Sequence, residues 1–144
     1  MYRLIFLHFL MYIFSTGCFS QTDYSDLWED FYSYNNIRDF TVVNGRIYAA
    51  ADNAVFIYDE ANKTTRKFST VQGLSGKQTS SIYYSENAKS FVVGYESGLI
   101  EIIDEMGNIE IANDIERLEI SGQKQINHIS EDKEYIYLST PFGI

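Results

Sequence analysis

A segment that returns about every 44 residues limits what this chain can become. It reads Tyr48-Ala-Ala-Ala-Asp-Asn-Ala-Val-Phe-Ile-Tyr-Asp59, then Val92-Val-Gly-Tyr-Glu-Ser-Gly-Leu-Ile-Glu-Ile-Ile-Asp104, then Tyr137-Leu-Ser-Thr-Pro-Phe-Gly-Ile144. Ala54, Gly98 and Gly143 are the aligned small residues. Repeats of this length built from short strands are the sequence form of β-propeller blades, which close with roughly four to eight copies. The chain holds two complete units and the front of a third. The expected fold class is therefore all-β, an incomplete β-propeller of about two and a half four-stranded blades that is cut off inside a blade.

Met1 to Ser20 lie outside the repeats and read as a secretory signal. Arg3 supplies the positive start, Leu4 to Phe14 form an apolar run too short to span a bilayer, and small or polar residues follow. Cleavage after Ser20 places Cys18 and Ser20 at the −3 and −1 positions. The rival is a lipoprotein signal, with Cys18 lipidated. Either route exports the chain. The mature remainder, from Gln21, has no cysteine, so packing and hydrogen bonding alone must hold it despite a disulfide-permissive compartment.

The expected organisation is a signal peptide at 1–20, an entry segment at 21–36 and a partial propeller at 37–144. Its blades span about 37–76, 77–124 and a truncated 125–144. In the first unit Ile37 to Val43, Arg46 to Ala51, Ala54 to Tyr58 and Thr64 to Ser69 read as strands, with Asn44-Gly45 a strong hairpin turn. The second unit repeats this order over 80–85, 91–95, 99–103 and 109–112. The third offers 126–130 and 135–139. Gly98 and Gly143 fall where a tight turn favours positive φ. Ala54 occupies the equivalent place, so either its turn differs or Asn53 takes the unusual angle. The stretch 114–124 reads as a loop insertion or a short helix.

Acidic residues outnumber basic ones by 20 to 11 over the whole chain. That balance excludes a nucleic-acid partner, which requires clustered Lys and Arg. Lys63, Arg66 and Lys67 form the sole small basic cluster and read as a solvated strand end. Repeated aromatics at Tyr48, Tyr58, Tyr83, Tyr95, Tyr135 and Tyr137 read as core filling between blades, and Trp28 as a packing anchor for the entering strand.

No constellation supports catalysis. His128 is the only histidine after the signal, which removes most zinc and triad chemistry. The acid pairs Asp104-Glu105 and Glu131-Asp132 lack calcium-loop spacing. Gly73-Leu-Ser-Gly76 lacks the Lys-Ser/Thr of a phosphate loop. Asn62-Lys63-Thr64 matches an N-glycosylation sequon, a pattern frequent by chance. No catalytic, cofactor-binding or metal-ligating residue is assigned, no cofactor is expected, and ligand-binding residues stay unassigned.

The repeats lack the Gly-His and Trp-Asp signatures of WD40 units and the paired glycines of kelch units. Ser69-Thr-Val-Gln-Gly-Leu-Ser-Gly76, Ile82-Tyr-Tyr-Ser85 and Val93-Gly-Tyr-Glu-Ser-Gly-Leu-Ile-Glu-Ile102 resemble the two-component-regulator type of propeller repeat, found also in exported Bacteroidota proteins. Together with Tyr24-Ser-Asp-Leu-Trp28, Tyr34-Asn-Asn-Ile37 and Tyr48 to Asp59, they make the segment similar to the N-terminal propellers of the PorZ family. That resemblance implies a surface-exposed, outer-membrane-associated component of type IX secretion. It would deliver anionic lipopolysaccharide to the PorU sortase for attachment to cargo, with the covalent chemistry left to the partner. Full-length members carry two propellers and a C-terminal β-domain. The alternatives are the periplasmic sensor propeller of a hybrid histidine kinase and an exported propeller lyase or glycosidase.

Overall fold

The structure, a computed structural model, describes residues 35–144. The signal at 1–20 with Cys18, the entry segment as far as Tyr34, and Trp28 lie outside the described residues.

The first blade is a four-stranded antiparallel meander of β1 (Ile37–Val43), β2 (Arg46–Ala51), β3 (Ala54–Asp59) and β4 (Thr64–Phe68), in sequential order. The second repeats it with β5 (Thr79–Ser85), β6 (Ser90–Tyr95), β7 (Ile100–Asp104) and β8 (Ile109–Ala112). β9 (His128–Asp132) and β10 (Tyr135–Ser139) form an antiparallel hairpin, the front of a third blade. Among the described residues the helical elements are a 3-10 turn, Thr70–Gln72, and a one-turn helix α1, Asp114–Arg117. The 114–124 stretch thus takes the second of its two expected forms at its start.

Turn chemistry sets the register of each hairpin. Asn44 and Gly45 both have positive φ, 50° and 73°, as a two-residue type I′ turn requires. Between β2 and β3 the second alternative for Ala54 is not taken. Ala51 pairs directly with Ala54 across a two-residue Asp52-Asn53 turn, and neither Asn53 nor Ala54 has positive φ. The equivalent turn of the second blade is one residue longer, and there Gly98 adopts φ 87°. The third unit's first strand, expected over 126–130, lies two residues later. Its turn is Lys133-Glu134, because Asp132 pairs with Tyr135.

A second turn device repeats in both complete blades. Asp59 Oδ1 accepts hydrogen bonds from the amides of Ala61 and Asn62, and Asn62 Nδ2 donates to Asp59 Oδ2. At the aligned place Asp104 Oδ1 accepts from the amides of Met106 and Asn108, and Asn108 Nδ2 donates to Oδ2. Each carboxylate does locally what a ladder bond would do, and so closes the β3–β4 and β7–β8 hairpins.

The blades pack face to face. Tyr48, Ala50, Val55, Ile57 and Phe68 of the first blade meet Ile82, Phe91, Val93, Tyr95 and Ile103 of the second. On the other side of the second blade, Val92 and Ile100 meet Ile126 and Ile129. Alternation along β6 explains the split, since Phe91, Val93 and Tyr95 point one way and Val92 the other. All six β6 residues are buried. A strand covered on both faces needs a continuous apolar run, and Phe91-Val-Val-Gly-Tyr95 is one.

The crossover from β4 to β5 is built by Ser69-Thr-Val-Gln-Gly-Leu-Ser-Gly76. Ser69 Oγ accepts from the Val71 amide, and the Gln72 carboxamide oxygen accepts from the Ser69 amide, a reciprocal cap. Gly73 ends the turn at φ 102°. Leu74 then drops into the core between the blades. Ser75 N donates to Glu101 Oε1 at 2.8 Å, and the Gly76 carbonyl accepts from Asn53 Nδ2 at 2.7 Å.

Candidate functional site in the cleft between the first two blades

The β1–β2, β3–β4 and β5–β6 turns and the end of β7 gather at one end of the blade pair. Between them opens a cleft of about 350 Å³. Its floor is aromatic. The rings of Tyr48 and Phe91 stack at 4.0 Å between centroids, 29° from parallel, and Tyr84 leans on Phe91 at 4.9 Å. The register places them there: Tyr48 lies on the face of β2 turned to the second blade, and Tyr84 on β5 pairs with Phe91 on β6.

The rim is polar. On the first blade Arg46 Nε donates to Asp59 Oδ2 at 3.2 Å, and the Tyr48 hydroxyl and the Asp59 carboxylate raise the Arg46 pKa further, so its charge is fixed. Arg66 reaches in from β4 with its guanidinium carbon 5.4 Å from the centre of the Phe68 ring, a cation–π arrangement. It pairs with no described carboxylate. On the second blade, burial and then the negative charges of Glu105 and Glu86 push the Tyr84 phenol above its ordinary value. Asp104 and Glu105 complete that wall.

At the opposite end, Arg38 Nε donates to Asp52 Oδ1 at 2.9 Å, and Arg38 also lies 3.9 Å from Glu96. The pair joins β1 to the two inter-strand turns at that end. As partly exposed charges they add about 0–1 kcal/mol each. The α1 insertion is tied down by Lys77 Nζ to Glu116 Oε1 at 2.5 Å, a contact that, with Ser97, lowers the Glu116 pKa.

Other residues singled out by the sequence scatter. His128 is exposed at the start of β9. Glu131 accepts from Ser85 Oγ at 2.6 Å and from Asn87 at 3.0 Å, so it joins the second blade to the third hairpin. Asp104 is spent in its turn, and the sequon residue Asn62 is spent on Asp59. Among the described residues no group of three or more His, Cys, Asp or Glu is placed to hold a metal ion, and no helix is long and apolar enough to cross a membrane. Tyr48 and Tyr95 are buried as core filling requires, whereas Tyr135 and Tyr137 are exposed. Of the basic cluster, Arg66 lines the cleft instead of facing only solvent. The cleft itself was not legible, because its walls come from two repeats and are adjacent only after the blades pack.

Sequential four-stranded meanders packed face to face define a β-propeller of which the described residues form two blades and a hairpin. The family model described as the type IX secretion PorZ N-terminal β-propeller domain matches residues 47–144, and the chain belongs to that family. A solved structure of PorZ from Porphyromonas gingivalis, described as an essential bacterial surface component of the type IX secretion system, aligns with a TM-score of 0.72 and 27% identity. That alignment covers 81% of this chain and 16% of PorZ, so the chain spans about a sixth of its relative's length. The extracellular domain of a putative one-component system from B. thetaiotaomicron aligns at 18% identity and TM-score 0.57, over 85% of this chain and 17% of that one. This second likeness shows the fold alone. No protein among the curated ones matches the sequence.

Proposed function

We propose that this chain is the propeller portion of a non-catalytic type IX secretion component. It works at the cell surface in association with the outer membrane, and helps deliver anionic lipopolysaccharide to the PorU sortase for attachment to secreted cargo. The observation that carries the reading is the family match over residues 47–144. The described residues are consistent with a binding rather than a catalytic part: Asp59 and Asp104 are engaged in turns, Glu131 in an inter-blade link, and the one described histidine stands alone. In this reading residues 1–20 are an export signal, 21–36 lead in, and 37–144 belong to the propeller. The sensor-propeller alternative rests on a likeness of fold only, and no cluster among the described residues favours the lyase or glycosidase.

The test is deletion of the gene in its host, with the complete gene supplied in trans as control. The expected result is loss of type IX cargo from the cell surface and its accumulation without attached lipopolysaccharide. Co-purification of the tagged complete protein with the sortase is expected as well. Normal cargo display and modification in the deletion strain would overturn the proposal.

A further inference from the structure

We infer that the face of the β9–β10 hairpin turned away from the second blade, bearing His128, Ser130 and Tyr137, is the seat of one further repeat of this same kind. That repeat enters with its first strand against β9 and bonds the Thr140 carbonyl. The inference rests on how the two complete blades are covered and does not depend on the secretion reading.

Three observations carry it. The first is the alternation of the hairpin. Ile129 and Glu131 of β9 face the second blade, Ile129 in the shared core and Glu131 through Ser85. His128, Ser130 and Tyr137, the partner of Ser130, therefore face the other way. Tyr137 is 43% exposed there.

The second is what the aligned residues do. Tyr137 opposite Ser130 has the register of Tyr48 opposite Thr41 and of Val92 opposite Tyr83. Tyr48, 6% exposed, fills the core against the second blade, and Val92, 2% exposed, fills the core against Ile126 and Ile129. His128 has the register of Asp39, whose Oδ2 accepts from the Ile82 amide on the first strand of the next unit at 2.9 Å. Ser81 holds that register in the second blade, and its short, buried hydroxyl has no partner among the described residues. His128 again supplies a long side chain there. A surface that recurs three times and is twice covered by the following unit is matched to that unit.

The third is a carbonyl at the end of the second strand of each unit, which receives the head of the next. The Ala51 carbonyl accepts from Thr79 Oγ1 at 2.6 Å, and the Tyr95 carbonyl accepts from the Ile126 amide at 3.2 Å. The Tyr95 carbonyl also takes the Gly98 amide of its own turn at 3.1 Å. The aligned Thr140 carbonyl takes the Gly143 amide in the same way, at 3.3 Å. A carbonyl oxygen has two lone pairs, and among the described residues no entering strand uses the second one at Thr140. The solved PorZ relative has the length for further units, since the alignment covers 16% of it.

The test is hydroxyl-radical footprinting of the complete gene product, purified alone, with each residue normalised to its own labelling in urea. Tyr137 should label at the level of Tyr48, about sevenfold below what 43% exposure against 6% would give. Met106, 84% exposed on its turn, should label strongly in the same sample. The protection of Tyr137 should be unchanged on dilution. Labelling of Tyr137 in proportion to its exposure here overturns the inference, as does protection that disappears on dilution, which would make the cover a second copy of the chain. A crystal structure of the same protein should place a donor from the head of the following unit within hydrogen-bond distance of the Thr140 carbonyl. Any other element seated on the face overturns the inference as well.

Discussion

Ile126 lies directly on Gly94. A Cβ built on that glycine would stand 2.6 Å from the Ile126 Cβ and 2.7 Å from its Cγ2, closer than such atoms ever approach. Gly94 is therefore needed for its lack of a side chain, and the contact fixes how near the third hairpin comes to the second blade. Ala50 holds the aligned position in the first blade and is fully buried there.

Gly94→Ala should destabilise the protein by about 1–3 kcal/mol, the usual cost of overpacking. Urea unfolding of the complete protein checks this. An unchanged midpoint would mean the hairpin shifts freely, contrary to the close packing of Ile126 and Ile129 on Val92 and Ile100.

Glu101 is a fully buried carboxylate in the core between the blades, accepting from the Ser75 amide and from the Tyr95 hydroxyl. Burial, and then Glu101 itself, hold the Tyr95 phenol far above its ordinary pKa, so it stays a donor. Glu101→Leu leaves both donors unpaired and should cost about 2–4 kcal/mol. Glu101→Gln keeps an acceptor and should cost less. Hydrogen exchange at the Ser75 amide should quicken in the Leu variant before global unfolding; if it does not, the carboxylate is not what holds the crossover.

Asp59 and Asp104 titrate below their ordinary value of 3.8, Asp59 chiefly through the Asn62 backbone amide and Asp104 chiefly through the Asn108 side chain. A carboxylate with a lowered folded-state pKa contributes stability that is present above its unfolded pKa and lost as pH falls through the folded one. Stability should thus hold at neutral pH and decline below about pH 4. Asp59→Asn and Asp104→Asn should each flatten that decline in a series of denaturant melts. Slopes identical to the parent would show that the turns do not depend on the charge.

Ser69→Ala removes the hydroxyl that caps the 3-10 turn, at a cost of about 1 kcal/mol. Thermal unfolding reads the loss. Ser69→Asp should not restore it, because the position is fully buried and its hydroxyl also donates to the Gln72 carboxamide oxygen, which a carboxylate cannot do.

The repeat period, the strand order and most strand ends could be read directly, since alternation and turn residues are local properties. Asn44-Gly45 declared its hairpin in two letters. The first strand of the third unit came out two residues early because Ile126 looks like a strand residue, while its amide in fact bonds the Tyr95 carbonyl of the second blade at 3.2 Å. The Asp–Asn turn clasps escaped notice because acids at turns are commonplace and only the aligned geometry shows that both do the same task. The cleft escaped for a different reason: Arg46 and Tyr84 are 38 positions apart and belong to different repeats, so no window of sequence contains both.

β6 has no face turned to water, whereas β4 shows four of its five residues to solvent. Mutational drift in this domain should accordingly be uneven, with the outer strand free to exchange one polar residue for another and the inner one nearly frozen. β6 supplies one inter-blade contact through each of its faces, so the middle blade, more than its neighbours, limits how far sequences of this kind can diverge while still folding.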